Sequence, residues 1–180
     1  MKKLLLSAVL VAISATSSFA DALLFTVEAT PYDKQMSRIR PILENAGSRS
    51  GNGVSMNVVN EWMTDLRDIP YGYALFWKTP SETLSGEPAD CKAKSVVLYQ
   101  RMKAAGATNV RLVIGKRTPM SKMTHAWLSW ETEGGTFVLD PTFDYTAKKA
   151  EQVGKRNYQP LYAYAGSKKF RASSALVAQN

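Results

Sequence analysis

Three residues of this chain have side chains suited to covalent chemistry: Cys91, its only cysteine, His125, its only histidine, and Asp140. A thiolate can attack a carbonyl carbon. An imidazole can take up the proton and return it, and a carboxylate can orient the imidazole. Asp140 fits the third part because it closes an apolar run and stands just before Pro141. Together these types allow acyl transfer through a thioester, to water or to an amine.

The elements around them must bring the three together. Cys91 opens a predicted helix from about Asp90 to Ala105, closed by Gly106. A helix N-terminus carries partial positive charge and unpaired N–H groups, which favour a thiolate. The Cys91 backbone N–H could serve the oxyanion of a tetrahedral intermediate. A second donor is not identifiable, with Trp62, Tyr71, Tyr73 and Trp77 as candidates by position. His125 and Asp140 fall on two predicted strands, Thr124 to Glu131 and Thr136 to Asp140, joined around Glu133-Gly134-Gly135. A two-residue loop at Glu133-Gly134 pairs Thr132 with Gly135. It places Asp140 diagonally across from His125 on one face, about 7–8 Å apart. A three-residue loop would put them on opposite faces.

The remaining chain reads as helices followed by strands. Asp33 to Asn45 has helical spacing at Met36, Ile39, Ile42 and Leu43, with Gly47 where a C-cap would sit; Pro41 requires a late start or a kink. Ser48 to Gly53 is a polar loop. Asn57 to Asp68 is a second helix, with Val58, Val59, Trp62, Met63 and Leu66 as its apolar face. Ile69 to Pro80 is aromatic and irregular, and Ser81 to Ala89 is loop-like. Val110 to Gly115 and Tyr158 to Tyr164 complete the strands, and the tail after Ser173 is loose. Helices first and strands after indicate an α+β fold with an antiparallel sheet.

Met1 to about Ala20 reads as a secretory signal peptide: Lys2 and Lys3, an apolar run too short for a bilayer span, then small residues at Ser18 and Ala20. Its removal leaves about 160 residues, 21–180, enough for one domain, and lowers the formal charge from +8 to +6. The expected compartment is the periplasm or outside the cell. The basic residues, Lys92, Lys94, Lys116 and Arg117 among them, are scattered, as on a solvated surface. No basic run interleaved with aromatics argues for nucleic acid. An unpaired cysteine is unexpected in an exported chain, where cysteines serve mainly in pairs. Composition alone reads it as an inert buried thiol.

Four local stretches carry a resemblance. They are Trp77-Lys78-Thr79-Pro80-Ser81-Glu82-Thr83-Leu84, Ala89-Asp90-Cys91, Thr124-His125-Ala126-Trp127-Leu128 and Val138-Leu139-Asp140. The chain from about Val58 to Phe143 resembles the bacterial transglutaminase-like cysteine proteinases, where a W-x-T-P-x-E-x-L segment leads into a G-D-C-E-D helix start. The resemblance implies a papain-like α+β fold with Cys91 as nucleophile, His125 as base and Asp140 as its orienter. It implies a protein or peptide substrate, a surface adhesin for the family's periplasmic LapG-type members, whose activity controls biofilm. In those members acids flanking the cysteine take part in calcium binding. Here Lys92 and Ala93 replace two of them, and Asp90 alone remains. One carboxylate beside an ammonium makes a poor site for a cation that takes six to eight oxygens, so no cofactor is predicted. Lys92 itself could act on the neighbouring thiol or simply point into water.

Three functions remain open. The first is a periplasmic thiol hydrolase cleaving a peptide or amide bond. The second is acyl transfer to an amine, or cleavage of a peptidoglycan peptide. The third is a non-catalytic binding protein on the same fold. Oligomeric state is not readable from the sequence.

Overall fold

A computed structural model describes residues 24–46, 53–154 and 156–173. The predicted signal peptide, Gly47 and most of the polar loop lie outside the described residues.

The first described strand, β1 (Leu24–Val27), precedes all the helices. Helix α1 is short, Arg40–Asn45, and turns occupy the nine residues before it. Pro41 falls in its first turn, where a missing N–H leaves no bond unmade. The late start anticipated from Pro41 is therefore what the chain adopts. Met36, Ile39 and Leu43 are buried all the same. Helix α2 (Met56–Asp68) is capped by Ser55, whose hydroxyl accepts from the Val58 N–H, and buries Val59, Met63 and Leu66.

Pro80–Thr83 forms a short helix, α3, where a loop is expected from Ser81 onward. Its cause is a capping box: the Thr79 hydroxyl accepts from the Glu82 N–H, and the Glu82 carboxylate accepts from the Thr79 N–H. Arg38 also donates to Glu82 at 2.7 Å, and these bonds hold that carboxyl down at about 2.

Helix α4 (Cys91–Ala104) is the central helix. Its Val96, Val97, Leu98, Tyr99 and Met102 are buried. Lys94, expected on a solvated surface, is buried as well: its Nζ donates to the carbonyls of Ile69 at 2.6 Å and Arg67 at 3.4 Å. An ammonium there meets the negative end of α2 and ties the two helices together.

Six strands follow: β2 (Val110–Lys116), β3 (His125–Thr132), β4 (Gly135–Leu139), β5 (Lys148–Lys149), β6 (Gln159–Ala165) and β7 (Lys168–Ala172). They join β1 in one seven-stranded antiparallel sheet, ordered β1-β7-β6-β2-β3-β4-β5. The fold is α+β with helices packed on this sheet. Along β3 the side chains alternate as the pleat requires. Ala126, Leu128 and Trp130 join the core beneath the helices, while Trp127 joins a smaller cluster with Val113, Val138, Tyr158 and Ala163.

Gly115 marks a close approach. A Cβ there would stand 2.1 Å from the Gln159 carbonyl oxygen and 2.7 Å from the Trp127 ring. The β2–β6 register shifts at the same point, between Ile114 and Gly115. Among the described residues, no helix is long and apolar enough to cross a membrane.

Candidate active site

Cys91 is the first residue of α4, and Asp90 is its N-cap. The Asp90 Oδ1 accepts from the Ala93 N–H at 3.1 Å. This puts the thiol at the positive end of the helix that lies against β3, where Ser95 Oγ donates to the Ala126 carbonyl at 3.1 Å. Cys91 is 9% exposed, at the edge of the core rather than sealed within it.

His125 is the first residue of β3, and Asp140 stands one residue past the end of β4. The hairpin has the two-residue turn: Thr132 pairs with Gly135, and Leu128 with Leu139. This register sets His125 and Asp140 on one face. The outcome is a hydrogen bond of 2.7 Å between His125 Nε2 and Asp140 Oδ2. Cys91 also acts on this ring, favouring its charged form after Asp140 does.

Asp140 is fully buried, yet every part of its carboxylate is engaged. Oδ1 accepts from the Thr142 N–H at 3.0 Å, and Oδ2 accepts from the Tyr158 hydroxyl at 2.9 Å as well as meeting His125. Burial opposes a charged His125 ring. The bond to Asp140, and then the Cys91 side chain, outweigh burial and push the imidazole up to about 9. Trp127 stacks beside the ring at 6.2 Å, Phe143 lies across it at 5.3 Å, and the Arg117 guanidinium covers Phe143 at 4.2 Å.

Tyr158 is the residue that reading the sequence missed. It is held at φ 52°, a backbone conformation unusual for a tyrosine, and its N–H donates to the Arg117 carbonyl at 2.9 Å. Burial first, then the charges of Asp140 and Asp144, raise its hydroxyl far above the tyrosine range, so it stays a donor. No spacing or motif signals this role. Tyr158→Phe should remove a charge-assisted bond and lower unfolding stability in urea by about 1.5–3 kcal/mol. A loss below about 0.5 kcal/mol, at the level of an ordinary surface substitution, would contradict the bond.

The four aromatic candidates for a second oxyanion donor separate clearly. Trp77 is buried in the core, and Trp62 packs against it. Tyr73 lies under the Lys92 ammonium, 4.9 Å from ring centre to Nζ. Tyr71 is exposed on much of its surface, and what burial it has, then Cys91 and Asp90, raise its hydroxyl above the usual range. It stays protonated and able to donate.

Lys92 does not point into water. Its Nζ binds the Asp90 carboxylate and donates to the Ala74 carbonyl at 3.0 Å. Asp90 also accepts from the Ala74 N–H at 3.2 Å, so both its oxygens are taken. Among the described residues, no group of three or more His, Cys, Asp or Glu is arranged to hold a metal ion.

The fold and the meeting of thiol, imidazole and carboxylate at one end of a helix-on-sheet core define an α+β protein with a candidate Cys–His–Asp site. No family model and no curated protein matches the sequence. Solved structures do match. Legionella pneumophila LapG in its calcium-bound form superposes with a TM-score of 0.55 at 16% identity, over 82% of this chain and 86% of that one. The EGTA-treated form gives 0.55 at 14%, over 82% and 81%. At that identity the shared property is the fold.

Proposed function

We propose that the chain is an exported thiol hydrolase that cleaves a peptide or amide bond in an envelope or surface protein. One observation carries this reading: the His125 ring is bonded to Asp140 at 2.7 Å and is influenced by Cys91 at the start of α4, in a LapG-like fold. The local motifs shared with the transglutaminase-like cysteine proteinases support the same reaction.

In this mechanism Cys91 and His125 form a thiolate–imidazolium pair. The thiolate attacks the carbonyl carbon, and the Cys91 N–H at the helix start would donate to the oxyanion, with the Tyr71 hydroxyl as the candidate second donor. The tetrahedral intermediate collapses as His125 gives its proton to the leaving amine. A water then loses a proton to His125 and attacks the thioester. The acid product departs, and the proton returns the site to its starting state. Asp140 orients the ring throughout.

Large apolar side chains are exposed shortly before the cysteine in the chain, at Tyr73, Leu75 and Phe76, and at Phe143, which lies across the His125 ring at 5.3 Å. Exposed apolar surface of this kind suits contact with a protein segment. Calcium does not fit the residues beside Cys91, because Asp90 is their only acid and its carboxylate is bound to Lys92 and two N–H groups.

Iodoacetamide should label Cys91 of the folded chain near neutral pH, and His125→Ala should slow labelling by about 10²–10⁴-fold, the usual worth of a positioned acid–base group. Comparison of envelope proteins from cells with wild type and Cys91→Ala should then reveal a fragment that only the wild type produces. A thiol labelled only after denaturation would sink the proposal.

A further inference from the structure

We infer that Lys92 is a tethered cation that clamps the Tyr71–Ala74 segment to the start of α4, and so acts as a positioning residue for Cys91. The inference rests on the hydrolase reading, but the clamp itself can be measured apart from any reaction.

A lysine in the first turn of a helix faces the positive end of its dipole. It is disfavoured there unless something offsets the charge. Lys92 folds back instead of extending outward, and its side chain is only 18% exposed. It binds the Asp90 carboxylate, which is itself 1% exposed. A carboxylate so buried needs a compensating charge, and removing the partner leaves it uncompensated.

The same ammonium reaches across to the preceding segment. It donates to the Ala74 carbonyl at 3.0 Å and covers the Tyr73 ring at 4.9 Å. The Ala74 N–H donates to Asp90 at 3.2 Å. Ala74 is thus held through both its backbone groups, one by each member of the ion pair. Farther back, the Ala89 N–H donates to the Pro70 carbonyl at 2.9 Å, and Gly72 passes so close to Pro88 that a Cβ would stand 2.5 Å from the proline Cβ. The segment so fixed carries Tyr71, the tyrosine whose hydroxyl senses Cys91.

A free divalent ion in this place would seek the same two kinds of oxygen, the Asp90 carboxylate and the Ala74 carbonyl. Two residues offer too few oxygens for it. An ammonium group with three donors is satisfied by this set. The chain therefore carries its own cation, covalently attached and independent of ion concentration.

Hydrogen exchange and iodoacetamide labelling of Cys91 in the full chain test this, using wild type, Lys92→Met and Lys92→Arg, each with millimolar calcium or with EGTA. In Lys92→Met the Gly72 and Ala74 amides, which donate to the Ala89 carbonyl and to Asp90, should exchange about tenfold faster while the strands keep their protection. Labelling should slow in parallel, Lys92→Arg should restore most of both, and calcium and EGTA should leave the wild type unchanged. Unaltered exchange in Lys92→Met, or wild-type loop protection lost in EGTA, overturns the clamp. If Lys92→Met does not fold, the arginine variant decides: retained loop protection in EGTA upholds the clamp, and lost protection overturns it. A Cys91 that resists labelling in every protein defeats the hydrolase reading, while the exchange result still judges the clamp.

Discussion

Asp140→Asn should slow Cys91-dependent turnover and thiol labelling by about 10²–10⁴-fold with little change in shape, since the carboxylate sets both the orientation and the charge of the imidazole. The pH dependence should change with it. His125 stands at about 9 because the bond to Asp140 and the neighbouring Cys91 outweigh burial. An amide carries no charge to do so, and burial then draws the ring back down. The sign of the stability effect follows from linkage. The folded-state value lies above the unfolded value of about 6.5, so the charged ring stabilises the fold fully below pH 6.5. That contribution, of the order of 3 kcal/mol, fades as pH rises and is gone above about 9. The stability gap between wild type and Asp140→Asn should therefore be widest near pH 6 and narrow steadily towards alkaline pH. A gap that widens with pH would contradict the assignment. Urea titrations at several pH values, read beside labelling rates, measure both effects.

Gly115→Ala should be among the most destabilising single-methyl additions in the chain. The new Cβ would meet the Gln159 carbonyl oxygen at 2.1 Å and the Pro160 Cα at 2.9 Å, so two backbones, not a flexible side-chain tip, must separate. Overpacking in a core costs about 1–3 kcal/mol and sometimes more. The upper end is expected here, a fall of about 10 °C in Tm for a domain of this size. Gly115 pairs with His125 across the β2–β3 ladder. The same methyl should thus slow thiol labelling by disturbing the start of β3. A Tm unchanged within a degree would mean that β2 and β6 are spaced more widely than described.

The candidate site was the most legible part of the sequence. A β-strand has a period of two, so a two-residue turn alone places His125 and Asp140 on the same face. The observed pairing of Thr132 with Gly135 is that turn. Helices α2 and α4 were legible from their apolar spacing, and a proline-delayed α1 from Pro41. The missed features have separate causes. Helix α3 was announced by Thr79-Pro80 and Glu82, a capping box that its loop-like surroundings concealed. Strands β1 and β7 pair over more than a hundred residues, and nothing local in either names its partner. Charge is normally exposed, so the sequence favours a solvated Lys94 and leaves Lys92 between solvent and the neighbouring thiol. Their burial depends on carbonyls and a carboxylate that only the tertiary fold supplies. Tyr158 could not be found at all, since its role requires knowing where Asp140 ends up.

The hairpin that holds His125 and Asp140 has a consequence for the order of assembly. Fifteen residues separate that pair, and a tight turn brings the two strands together. Local contacts of this kind form early, with little loop to close. Cys91 arrives on a different element, and it meets the imidazole only when α4 has settled on β3. A partly folded chain would thus hold its imidazole–carboxylate pair without an adjacent sulfur. Completion of the core is the event that completes the candidate site.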